Sequence, residues 1–194
     1  MELCYKTFVS VGNCKQAFTR LLDAVKSQAA CLPKPILVQH GHTPFFSEEC
    51  HGIDFVNMDT FTQHIDDAEV LIFHGGAGSI HHALRKGKCP IVMPRRAEFG
   101  EHVNNHQVTF GSTLYSCGKV LLVDNVDELS IAIHKVQAAA LKIVPHGNQS
   151  LALETIKKRL NLLLGASTKI VDPEYSITGV PANPNCHSRE SGNL

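Results

Sequence analysis

Short apolar runs alternate along this chain with segments whose apolar residues recur every three or four positions. Thr7 to Val11 is such a run, leading into the turn Gly12-Asn13, and Phe18, Leu21, Leu22 and Val25 follow at helical spacing. Pro33 and Pro35 punctuate the chain before a second run, Ile36 to Gln39, and His40 to Cys50 reads as a polar loop. Ile53 to Val56 predicts a third strand, and Phe61, Ile65 and Ala68 mark a short helix. Val70 to Phe73 predicts a strand that runs into three glycines in four positions, Gly75, Gly76 and Gly78. Ile80, Ala83 and Leu84 give the next helix its buried face, with Gly87 as its stop. Ile91 to Met93 is a strand ending at Pro94. Val103, Gln107, Phe110 and Leu114 predict a helix closed by Gly118, and Val120 to Val123 a last strand. Asp124 or Asn125 caps a helix from about Val126, whose Asp127 and Glu128 suit its first turn. Leu153, Ile156, Leu160 and Leu163 or Leu164 stripe one further helix, over about Gln149 to Leu164.

Strands alternating with helices predict an α/β fold, a Rossmann-like parallel sheet with helices on both faces. After Gly165 the chain turns rich in Pro, Ser and Asn and loses its apolar period. One domain over residues 1–165 and a disordered tail over 166–194 are expected. Eighteen basic and eighteen acidic residues cancel, which argues against a bulk electrostatic grip on nucleic acid or an anionic membrane. No apolar run approaches the ~20 residues that span a bilayer. Met1 to Ser10 lacks the basic start and apolar centre of a signal peptide. The chain is therefore expected in the cytoplasm, reaching a membrane only through a partner. Seven cysteines, at positions 4, 14, 31, 50, 89, 117 and 186, form no C-x-x-C pair and read as reduced, mostly apolar fillers.

The segment from His74 to Gln107 concentrates the chemistry. Glycines let backbone N–H groups approach an anion, and the helix that follows adds a favourable dipole. HGGAGSI has neither the spacing of the dinucleotide fingerprint nor that of a Walker A loop. Its place between strand and helix still marks a phosphate-binding turn. Arg95 and Arg96 follow a strand end, where a pyrophosphate or a carboxylate is within reach, or where they form a solvated basic pair. His102 and His106 lie one helical turn apart, as zinc ligands can. Glu101 precedes them instead of standing between, so the zinc-hydrolase motif H-E-x-x-H is absent. A polar cluster that hydrogen-bonds a nucleotide and its sugar is the other reading of these residues.

Taken together, HGGAGSI, the downstream PRR and GEHVNNHQ resemble the carboxyl-terminal, donor-binding domain of glycosyltransferase family 28. The likeness is strongest to small catalytic subunits of two-component bacterial exopolysaccharide glycosyltransferases. It extends to the catalytic subunit of the two-part enzyme that adds the second N-acetylglucosamine to dolichol-linked oligosaccharide. FVSVGN, FTRLLDAV and QHGH match the family's first strand and turn, first helix and second turn, and the resemblance runs from about Thr7 to Gln137.

That resemblance implies one half of a GT-B glycosyltransferase, moving a hexose-type sugar from a UDP-sugar to a lipid-linked acceptor in polysaccharide or glycolipid synthesis. A membrane-anchored partner subunit would supply the acceptor-side half, no metal or other cofactor would be obligatory, and the transfer would be inverting. Carried over residue by residue, Gly12 and Asn13 form the first turn near the donor, and Gln39 and Gly41 line the second. His74, Gly75, Gly76, Ala77, Gly78 and Ser79 form the diphosphate-facing turn. Arg95, Arg96, His106 and Gln107 meet sugar and diphosphate, while Glu101 and His102 are the catalytic candidates. His82 stands where relatives carry a glutamate that grips ribose, and Asn105 where many bacterial relatives carry an acidic residue. The alternatives are a non-catalytic nucleotide-sugar-binding or partner-stabilising subunit, and a zinc-dependent hydrolase built from the histidines.

Overall fold

Six short strands form one sheet, and every pairing in it is parallel. They are β1 (Thr7–Ser10), β2 (Ile36–Gln39), β3 (Cys50–Ile53), β4 (Val70–His74), β5 (Ile91–Met93) and β6 (Leu121–Leu122), in the order β3-β2-β1-β4-β5-β6. Among the described residues the α-helices are α1 (Thr19–Gln28), α2 (Met58–Asp67), α3 (Ala77–Arg85), α4 (His106–Ser116) and α5 (Val126–Lys142); α1 to α4 lie between strands, a loop joins β2 to β3, and α5 follows β6. This computed structural model describes residues 4–142, with side chains through residue 139. The helix expected over Gln149 to Leu164, the domain end at 165, the tail over 166–194 and Cys186 lie outside the described residues.

The period of two along each strand assigns every apolar side chain to a layer. Val9, Ile36, Val38, Val70, Ile72, Ile91 and Met93 join Leu21, Leu22 and Val25 of α1 and Leu129 and Ile133 of α5. Their chain neighbours Phe8, Leu37, Leu71 and Phe73 point the other way, onto Ile65 of α2 and Ala83 of α3. Val92 shares that second face with Ile80, Phe110 and Leu114, which brings α4 under the β5 edge. Strands buried on both faces explain why they read as continuous apolar runs rather than as alternating ones.

Several boundaries differ from the sequence reading. The third strand is Cys50–Ile53, three residues earlier than expected, because as an edge strand it has one neighbour and needs little apolar content. The apolar Val56 instead leaves the sheet and faces the cleft described below. The helix expected from Val103 starts at His106, and Val103 is 76% exposed. The last strand is confined to Leu121–Leu122. At α5 the cap is Asn125, whose Oδ1 accepts the Glu128 N–H at 2.9 Å while Glu128 returns a bond to the Asp124 N–H.

Candidate functional site

β1 and β4 are neighbours, yet α1 after β1 packs on one face and α3 after β4 on the other. The crevice opened at their carboxyl ends is the topological switch point of a doubly wound sheet. A cleft of about 240 Å³ lies there. Ser10, Gly12 and Asn13 line it from the end of β1, and His74 and Gly76 from the end of β4. Gly78, Ser79 and His82 contribute the first turns of α3, Gln39 the end of β2, and Val56, Met58 and Phe61 an apolar wall.

α3 begins without a side-chain cap, and its first intrahelical bond runs from the Ile80 N–H to the Gly76 carbonyl. The amides before Ile80 therefore open toward the cleft as the positive end of the helix. The glycines around this turn are fixed by packing. Gly12 (φ +74°) and Gly76 flank the His74 ring: an added β-carbon would lie 2.5 Å and 2.1 Å from its Nε2. A β-carbon at Gly75 would stand 2.7 Å from Cβ of Gln107. Gly41 (φ +57°) lets the second turn pass 2.8 Å, at such a β-carbon, from the Gly12 carbonyl. Gly78 alone of the central three has nothing within 4 Å.

His74 is partly buried, and its Nδ1 lies 3.3 Å from the Ser10 carbonyl, an acceptor that selects the Nδ1–H tautomer. Burial, then the nearby Arg95 cation, pushes its pKa down to about 4. The ring is neutral at pH 7, with Nε2 left as an acceptor.

The arginines expected to meet a ligand are committed to the protein. Arg95 is wholly buried, and its guanidinium donates to the carbonyls of Val11, Gln16, Ala17 and Glu101 while lying 4.6 Å from the Phe18 ring centroid. Burial lowers its pKa, and among the described residues its Nε has no partner. Arg96 pairs with Glu98 at 3.1 Å and Asp124 at 2.5 Å, and these carboxylates raise its pKa further. Glu101 is 5% exposed, and its oxygens accept from Nε and Nη2 of Arg20 at 3.0 and 2.8 Å and from the Arg96 N–H. Gln107 is buried too, with Oε1 accepting the Arg95 N–H at 3.1 Å. These side chains stitch the β1–α1 loop to the β5–α4 loop behind the cleft. In this arrangement both oxygens of Glu101, the Arg96 guanidinium and both terminal nitrogens of Arg95 are engaged within the protein, and Gln107 holds the Arg95 N–H.

His102, half-buried, and His106, exposed, stand on the same loop with ring centroids 4.7 Å apart and His106 Nδ1 against Asn104 Oδ1. They are not among the residues that line the cleft. No three of His, Cys, Asp and Glu converge as metal ligands among the described residues. Nor is any described helix long and apolar enough to cross a membrane. The sequence reading missed Ser10, Val56, Met58 and Phe61 as cleft walls and Arg20 as the partner of Glu101. Arg20 had one visible signal, a charge inside the apolar helical stripe FTRLLDAV.

Residues 7–162 match the model of the glycosyltransferase family 28 C-terminal domain. No curated protein matches the chain. Among solved structures, it is similar to the glycotransferase of kitacinnamycin, with TM-score 0.53 at 15% identity, over 84% of this chain and 41% of that one. It is also similar to the calicheamicin glycosyltransferase CalG4, with TM-score 0.54 at 12% identity, over 81% of this chain and 37% of that one. The chain thus spans about two fifths of the length of each, and at these identities the likeness is one of fold.

Proposed function

The chain belongs to the glycosyltransferase family 28 C-terminal domains, and from that premise we propose that it is the donor-binding catalytic subunit of a two-component glycosyltransferase. It takes a hexose-type sugar from a UDP-sugar and passes it, with inversion, to a lipid-linked acceptor held by a membrane-anchored partner subunit. The observation that carries this reading is the cleft itself. It sits over the β1/β4 switch point, with the uncapped start of α3 on its floor.

A diphosphate placed at that helix start meets oriented N–H groups, which stabilise the charge that develops on the leaving group. No divalent cation is required in this account, since backbone donors take its role. Gly76 and Gly12 seat His74 close to the same point. Inverting transfer also needs a base for the acceptor hydroxyl. With Glu101 held by Arg20, we assign that task to the half-buried His102 of the β5–α4 loop.

Calorimetric titration with UDP and UDP-hexoses, with a chelator present, is the direct test. Saturable binding with one nucleotide per chain is expected. Binding that vanishes with the chelator and returns only with zinc or magnesium would refute the metal-free account.

A further inference from the structure

Among the described residues the cleft has no charged lining side chain. Its polar lining is Ser10, Asn13, Gln39, His74, Ser79 and His82. The arginine heads of the β5–α4 loop are engaged elsewhere: Arg95 by backbone carbonyls, and Arg96 by Glu98 and Asp124. Two of the polar side chains are also spent on the fold. The Ser10 hydroxyl donates to Gln39 Oε1 at 2.6 Å and accepts the Gly12 N–H. The Gln39 amide nitrogen donates to the carbonyls of Gly12 and Asp54. Asn13, Ser79, His82 and Nε2 of His74 are left for a ligand, and none is a carboxylate.

A ribose offers neighbouring 2′ and 3′ hydroxyls. Sites that read both use a carboxylate, whose two oxygens accept two hydrogen bonds at once. Such sites reject a deoxy analogue strongly, because the lost hydroxyl strands a buried charged acceptor. His82, set edge-on to Phe61 with centroids 6.4 Å apart, offers at most one ring acceptor. Wherever the pentose lies within this cleft, no lining side chain among the described residues penalises a missing 2′-hydroxyl by more than one ordinary hydrogen bond. The wall of Val56, Met58 and Phe61 is apolar and suits a pyrimidine 5-methyl group.

We propose that this cleft binds pyrimidine nucleoside diphosphates without reading the pentose 2′-hydroxyl, so that its donors include deoxythymidine-diphosphate sugars as well as uridine-diphosphate sugars. The proposal rests on the reading of the cleft as a nucleotide-sugar site.

The experiment is calorimetric titration of the full chain with UDP, dUDP and TDP under one set of conditions. dUDP isolates the hydroxyl, and TDP adds the methyl group. The expected result is a Kd for dUDP less than about tenfold above that for UDP, the span of one neutral hydrogen bond, and a TDP at least as tight as dUDP. A loss of tenfold or more on removing the hydroxyl overturns the proposal and leaves the nucleotide-sugar reading standing. TDP weaker than dUDP overturns the inclusion of thymidine donors. Failure of all three to bind overturns the reading of the cleft and this proposal with it.

Discussion

At Gly76 a β-carbon would stand 2.1 Å from Nε2 of His74, whereas at Gly78 it would meet nothing within 4 Å. The two glycines therefore separate fold from function. Gly78→Ala is expected to hold or raise stability by up to about 1 kcal/mol, since alanine is the better helix former. It should weaken UDP binding, because the added methyl group enters the cleft. Gly76→Ala must first displace the histidine, so it should cost both stability and binding; denaturation curves beside titrations distinguish the two patterns. His74 carries a second prediction. The unfolded imidazole titrates near 6.5 and the folded one near 4, so between those values the unfolded chain binds more protons. This contribution to stability is full above about pH 6.5 and is lost as the pH falls toward 4. Between pH 7 and pH 5 the loss amounts to about 2 kcal/mol, and His74→Gln should remove that part of the slope in urea titrations. The residue types at the glycine turn were legible in the sequence because their chemistry is local. The duties of Arg95 and Glu101 were not, since those depend on carbonyls and a guanidinium up to 84 residues away in the chain.

The β5–α4 loop is the element that holds the cleft's rear. Arg20 of α1 reaches it with two bonds to Glu101 and one to the Pro94 carbonyl, and its Nη1 also donates to the Asp124 carbonyl before α5. The side chains are 22% and 6% exposed, so removing one partner strands a poorly solvated charge. Glu101→Gln is expected to cost about 3 kcal/mol, the low end for a broken buried pair, because Arg20 keeps its carbonyl acceptors. Chemical denaturation checks this, and a change under about 1 kcal/mol would show that the pair is not a strut. The same element shows where sequence reasoning stops. The apolar runs of β1, β2, β4 and β5 were legible because a strand buried on both faces has to be apolar. β3, with burial only at Cys50, has no such signature, and the apolar Val56 beyond it belongs to the cleft wall. Val103 matched the helical period of α4 by coincidence of spacing and lies outside it.

At the scale of the whole molecule, the strand order β3-β2-β1-β4-β5-β6 places the β1–α1, β4–α3 and β5–α4 connections at one end of the sheet. In the proposed function those connections serve a donor. No carboxylate lines the cleft among the described residues, and its polar groups sit around the glycine turn before α3. In the reading proposed here, the acceptor and the surface that orients it come from the partner subunit. Donor binding and sugar transfer should then separate experimentally. The chain alone is expected to bind UDP-sugar with undiminished affinity, yet to transfer at least about 10²-fold more slowly than the reconstituted pair, because orientation of the acceptor is missing. Within the pair, His102→Ala should lower kcat by about 10²-fold or more, the scale of a lost general base, and leave the donor Kd unchanged. A chain ending at Gly165 is expected to retain donor binding, as the family match stops at residue 162. Full-rate transfer to a lipid-linked acceptor by the purified chain, with the partner absent, would overturn the two-component reading while leaving the donor site in place.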